Sequence, residues 1–251
     1  MVWRIHSKER KDAVLRRVVE SYIEECRPIS SEYLCRKYQL PASSATIRNI
    51  MAELGKEGLL VHPYTSSGRI PTPRGFRYYV DFLMEKKEEE EDYYSYFATL
   101  KEDIRRRNLN LLLEDISRLV SRLTHYAGLA KIAEEEDKIF FWGTSYILQQ
   151  PDFSDLKSIK QIFDLLEEKT SSFAHFLEEN FLAEDEDLKV LIGDEISLQE
   201  ISNCSLIISS LNVETGKRIL LGTLGPIRMN YSLTLSRLRA LKNYLEKEIL
   251  T

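Results

Sequence analysis

Arg48 and Asn49 are neighbours in the stretch 43–81, SSATIRNIMAELGKEGLLVHPYTSSGRIPTPRGFRYYVD. An arginine fork matches the O6/N7 edge of guanine and an asparagine amide matches the N6/N7 edge of adenine, so this pair suits the reading of base edges. Ala45, one turn earlier, is small enough to meet a thymine methyl. At about 100° per residue these three fall opposite Ile47, Ile50, Met51 and Leu54, which form an apolar stripe. Ser44 and Thr46 at the helix start, Arg69 on the polar turn TSSGR, and Arg74 and Arg77 in the next helix have the chemistry of phosphate contacts. The competing reading is a solvated helix face beside an ordinary turn.

Other chemistries have less support. Asp152, Asp155 and Asp194 are isolated carboxylates, with neither a paired histidine nor a nucleophile motif near them. GTLGP at 222–226 lacks the spacing and the lysine of a phosphate loop. Four dispersed histidines and three cysteines at unrelated spacings, Cys26, Cys35 and Cys204, form no metal motif and no disulfide framework. The expectation is a protein that is not an enzyme and uses no cofactor or metal. No apolar run reaches the roughly 18 residues of a membrane span, and the first residues lack the apolar core of a signal peptide. A cytoplasmic location without membrane contact is expected.

The elements that must position the Arg48–Asn49 pair are legible from caps and breaks. Residues 7–25 carry Val14, Leu15, Val18, Val19, Tyr22 and Ile23 at helical spacing behind Ser7. Arg27-Pro28 stops that helix, and Ser30 or Ser31 caps a short second one burying Leu34 and Tyr38. After Leu40-Pro41-Ala42, Ser43 or Ser44 opens the third helix, and Gly58 is placed to end it. Residues 59–61 read as a strand, a polar tip follows, and Ile70 begins the return. Thr72 as N-cap with Pro73 behind it opens a fourth helix with Phe76, Tyr79, Val80 and Leu83 on its core stripe. The order is that of a winged helix-turn-helix, with Arg69 as its wing residue.

Charge supports a division of the chain. Its net charge is −5, but residues 1–84 hold 14 Lys+Arg against 9 Asp+Glu, leaving 21 against 31 for the remainder. A basic head can approach phosphate where an acidic body is repelled. The expected domains are a winged helix at 1–84, a helical linker at 85–136 and an α+β domain at 137–251.

Within the linker EKKEEEED reads as a solvated run, and Phe97, Leu100 and Ile104 form one apolar stripe. Leu112, Ile116, Leu119, Leu123 and Tyr126 form another, in 4-3-4-3 steps. That second seam suits packing on the C-terminal half and a dimer contact equally. Beyond it, strands are expected at 139–142, 188–192, 204–213 and 218–224, and helices at 152–180 and 231–249. Arg228, between apolar neighbours, calls for a buried partner.

SSATIRNIMAEL followed by PYTSSGRIPTPRGFRYYVD resembles the HrcA family of bacterial heat-inducible transcription repressors, whose pattern runs near SSATIRNEMAELE and PHTSAGRIPTDKGYRYYVD. Ile50 and Gly55 stand where glutamate is usual, Tyr64 for His, Ser67 for Ala and Pro73 for Asp. FFWGTSYILQQPDFSDL, LIGDE and LGTLGPIRMNY resemble the family's GG.SNLLNQPEF, IG.E and IGIIGPTRMDY. The resemblance implies a multidomain α+β protein with a winged helix, a helical linker and a GAF-like domain. It implies a homodimer on double-stranded DNA at an inverted-repeat CIRCE operator ahead of chaperone genes, relieved by heat, with the chaperonin GroEL as a folding partner. Members run longer ahead of the GG.SN segment, so a reduced GAF-like region lacking its first strands is expected. The alternative is a protein-interaction module with a degenerate winged helix and no sequence-specific DNA binding.

Overall fold

Three hydroxyl side chains set the starts of helices in the N-terminal part. Ser30 accepts from the Tyr33 amide at 3.1 Å, Ser43 accepts from the Thr46 amide at 3.1 Å, and Thr72 Oγ1 accepts from the Gly75 amide at 3.1 Å. Each satisfies a backbone donor that the first turn of a helix leaves without an intrahelical partner. The structure, a computed structural model, describes residues 7–64, 68–85, 109–135, 137–181, 188–212 and 216–248. The tip residues 65–67, the charged run and the 97–104 stripe lie outside them. The chain forms two compact units, Met1–Lys87 and Glu88–Thr251.

The first unit contains α1 (Ser7–Glu25), α2 (Ser31–Tyr38), α3 (Ser44–Lys56), β1 (Leu60–Val61), β2 (Ile70–Pro71) and α4 (Pro73–Glu85). β1 and β2 pair antiparallel with Leu60 opposite Pro71 and Val61 opposite Ile70. Its core gathers Val14, Leu15, Val18 and Val19 from α1, Leu34 from α2, Ile47, Met51 and Leu54 from α3, and Phe76, Tyr79, Val80 and Leu83 from α4. These are the stripes expected from spacing, except that Tyr22, Ile23, Tyr38 and Ile50 are only half-buried. Gly58 closes α3 at a φ of 76°, its amide donating to the Gly55 carbonyl while the Leu59 amide reaches that of Leu54. That left-handed position favours glycine, and it redirects the chain into β1.

The second unit contains α5 (Leu109–Thr124), β3 (Ala127–Ile132), β4 (Phe140–Trp142), α6 (Thr144–Leu148), α7 (Leu156–Glu167), α8 (Thr170–Phe181), β5 (Leu188–Ile192), β6 (Cys204–Asn212), β7 (Arg218–Pro226) and α9 (Tyr231–Glu248). Its five strands run in the order β4-β3-β7-β6-β5, every neighbour antiparallel. One face of the sheet, with Leu129, Leu206, Ile208, Leu220 and Leu224, packs on Ile162, Leu165, Phe173 and Leu177 of α7 and α8. The opposite face meets α5 and α9, where Thr124 bonds Thr223 and Ser205 bonds the Tyr231 hydroxyl. Because both faces are covered, β6 and β7 are buried along nearly their whole length instead of alternating between buried and exposed.

Two expectations are corrected here. β3 lies inside the segment read as linker and inside the region expected to lack strands, and it pairs with both β4 and β7. The seam Leu112, Ile116, Leu119 and Leu123 is buried within this unit, on helix α5, which packs on β3, β4 and β7. The span 152–180, expected to be mostly helical, consists of a 3-10 turn at Pro151–Phe153 followed by α7 and α8.

Cys204 is buried in β6, and desolvation pushes its thiol well above the ordinary range, while Cys26 is exposed. The thiolate is the reactive species. A maleimide at neutral pH is therefore expected to modify Cys26 within minutes and Cys204 only after unfolding. Mass spectrometry of timed digests checks this; early labelling of Cys204 would contradict its place in the sheet.

Candidate nucleic-acid interface

The outward face of α3 is built by subtraction. Burying Ile47, Met51 and Leu54 fixes the rotation of the helix, and Ala45, Arg48 and Asn49 are consequently exposed together at i, i+3 and i+4 spacing. Arg48 and Asn49 have no hydrogen-bond or ion-pair partner among the described residues. Their donors are thus available at a surface flanked by the small Ala45 and Ala52, with Glu53 one turn beyond Asn49.

What holds α3 in place is partly polar. Lys11 of α1 bridges Glu53 and Glu57, each at 2.8 Å, tying the first helix to the end of the third. The two hydrogen-bonded carboxylates, Glu53 foremost, raise the Lys11 ammonium above its ordinary range. All three side chains stay partly exposed, so the clamp orients the helix more than it stabilises the fold. Sequence reading missed it, since a Lys in α1 and Glu53 and Glu57 in and just after α3 look like solvated charges until the elements meet.

The remaining candidates are distributed unevenly. Ser44 is half-buried in the first turn of α3, and Thr46 bonds the Ser43 hydroxyl at 2.9 Å, so its own hydroxyl serves the cap. Arg74 is exposed at the start of α4, with its guanidinium near Gly58. Arg77 reaches Asp81 one turn on, at 3.4 Å, which offsets its charge locally.

Arg69 departs most from the sequence picture of a wing residue. It sits at the base of the hairpin, where its amide donates to the Ile29 carbonyl at 2.8 Å and its carbonyl accepts from the Ile29 amide at 2.9 Å. Its half-buried side chain turns back over Gly55 of α3. Burial lowers the pKa of its guanidinium below the usual value.

In the second unit the partner of Arg228 is Asp152. Arg228 Nε meets Asp152 Oδ2 at 2.7 Å, and Nη2 donates to Gln150 Oε1 at 3.3 Å. The two segments QQPDF and GPIRMNY are joined by this contact. A second pair, Lys131 with Glu178, places a fully buried ammonium against α8. Glu178 also accepts from the Glu134 amide at 3.0 Å. Both pairs serve packing, and no cluster of three or more His, Cys, Asp or Glu able to hold a metal occurs among the described residues. No helix among them is long and apolar enough to cross a membrane.

Comparison with known proteins places this geometry in context. A family model described as the HrcA protein C terminal domain matches residues 96–235. The heat-inducible transcription repressor HrcA of Symbiobacterium thermophilum is 26% identical over 340 residues, covering 95% of this chain and 98% of that protein. The alignment is longer than the chain itself, so that relative carries additional residues. The HrcA of Acetivibrio thermocellus is 39% identical over 132 residues, covering 52% of this chain and 37% of that protein. The crystal structure of a hypothetical protein matches with a TM-score of 0.75 at 18% identity, covering 96% of this chain and 98% of its own, which shows a shared fold.

Proposed function

The chain belongs to the HrcA family, and from that premise we propose that it is a heat-inducible transcription repressor whose first unit is a winged helix-turn-helix presenting α3 to the major groove of double-stranded DNA. The observation that carries this reading is the exposed Ala45, Arg48 and Asn49 face, held outward by a fully formed core stripe. Arg48 and Asn49 specify bases, while Ser44 and Arg74 contact the backbone. Thr46 and Arg77, engaged with Ser43 and Asp81, are secondary backbone candidates that must exchange or share those contacts. The surplus of positive charge in residues 1–84 draws this unit, and not the acidic remainder, toward phosphate.

The second unit is in this reading a reduced GAF-like domain through which two chains pair, so that two copies of α3 meet the halves of an inverted repeat of the CIRCE type. GroEL is the chaperonin partner implied for its folding. Heat relieves repression by opening a marginally stable fold, which withdraws the paired helices from DNA.

The test is fluorescence anisotropy with a duplex carrying the inverted repeat against a scrambled duplex of the same composition, across a salt series. The repeat duplex is expected to bind two chains and to keep binding at salt concentrations that release the scrambled one. Equal binding of both duplexes at every salt concentration would overturn the reading.

A further inference from the structure

We infer that Arg69 is a positioning residue, its guanidinium wedged over Gly55 to fix the angle between α3 and the β1–β2 hairpin, and that it does not contact phosphate. The inference rests on the DNA-binding reading of this unit and concerns how the interface is held.

Three observations converge on it. First, both backbone groups of Arg69 are committed to Ile29, in the connection between α1 and α2, so the main chain from which the side chain departs is fixed at the base of the hairpin. Second, the side chain lies on a gap that only glycine leaves. A Cβ built on Gly55 would stand 2.3 Å from Arg69 Nη1 and 3.3 Å from Cζ, with the Leu60 carbonyl oxygen at 3.5 Å on the other side. Third, no carboxylate pairs with the guanidinium among the described residues, and its desolvation lowers its pKa. Gly55 belongs to the last turn of α3, where the carbonyl ends of the helix carry negative partial charge that favours a cation. Arg69 therefore links the α1–α2 connection through its backbone and the end of α3 through its side chain, both from the base of the hairpin.

Salt dependence separates a strut from a phosphate contact. Loss of one phosphate contact lowers the slope of log K against log salt by about 0.9, whereas loss of a strut lowers affinity with the slope unchanged. For Arg69→Ala we expect operator affinity to fall at least about tenfold at each salt concentration with the wild-type slope retained. Gly55→Ala, which alters no charge, should weaken binding in the same manner by displacing the guanidinium. In thermal melts Gly55→Ala should raise the midpoint in the Arg69→Ala background, where only the helix preference for alanine over glycine acts, and should raise it less, or lower it, in the wild-type background, where the guanidinium must also be displaced. A slope reduced by about 0.9 in Arg69→Ala, unchanged affinity in that variant, or equal effects of Gly55→Ala in both backgrounds would each overturn the inference. If the wild-type chain fails to distinguish operator from scrambled duplex, the DNA reading fails, and the melting cycle still decides whether Arg69 and Gly55 are coupled.

Discussion

Asp152→Ala should destabilise the second unit by about 2–4 kcal/mol, because it leaves the Arg228 guanidinium buried without its carboxylate. Arg228 is only 9% exposed, and Asp152 supplies its Nε contact at 2.7 Å, with Gln150 contributing a longer bond at 3.3 Å. Both residues sit at joints. Asp152 is in the 3-10 turn whose Phe153 enters the core, and Arg228 precedes the buried Met229 and the buried Tyr231 that starts α9. Partial exposure of Asp152 admits some water to the vacated site, which keeps the estimate below the upper end for a fully buried pair. For a unit of this size each kcal/mol shifts the melting midpoint by about 2–4 °C. Arg228→Met should cost less than Asp152→Ala, since it removes the charge along with its partner's demand. The double variant should then melt above Asp152→Ala alone. Circular dichroism melts of the four proteins check the order; a melt of Asp152→Ala within about 1 °C of wild type, against that expected shift, would show that water satisfies Arg228 instead.

The same ion pair shows where sequence reading stops. The apolar surroundings of Arg228 announced the need for a partner, but Asp152 lies far away in the chain and resembles any turn carboxylate. Caps were legible because they are local: Ser43, Thr72 and Gly58 act on residues three or four positions away, and all three ends fall where their chemistry puts them. The outward face of α3 was legible for a similar reason, since burial of Ile47, Met51 and Leu54 determines what remains exposed. β3 was not. All six of its residues are buried, so it lacks alternation, and it contains a lysine whose ion pair with Glu178 cannot be inferred from neighbours. The α5 stripe was ambiguous because a 4-3-4-3 seam fits a second helix and a sheet face alike; the sheet took it. Arg69 was placed on a tip by the polarity of TSSGR, yet the pairing of Val61 with Ile70 leaves it beside Ile29, where a main-chain bridge turns it inward.

Arg48→Ala should reduce operator affinity by about 10- to 100-fold with little change in melting temperature, and Asn49→Ala should do the same at a different base pair. The stability side follows from exposure. Neither residue has a partner among the described residues to lose, and alanine is the better helix former at both positions. The affinity side follows from geometry: a bidentate arginine–guanine or asparagine–adenine contact is worth about 1–3 kcal/mol against the wrong base. The informative readout is therefore a panel of duplexes with single base-pair changes in one half-site. Wild type should discriminate at every contacted position. Arg48→Ala should lose discrimination at one guanine while keeping it elsewhere, and Asn49→Ala should lose it at one adenine. Arg74→Ala, a backbone contact in this scheme, should weaken all duplexes alike and lower the salt slope by about 0.9. If Arg48→Ala instead weakens operator and scrambled duplexes by the same factor, Arg48 touches phosphate only, and base reading must come from Asn49 and Ala45.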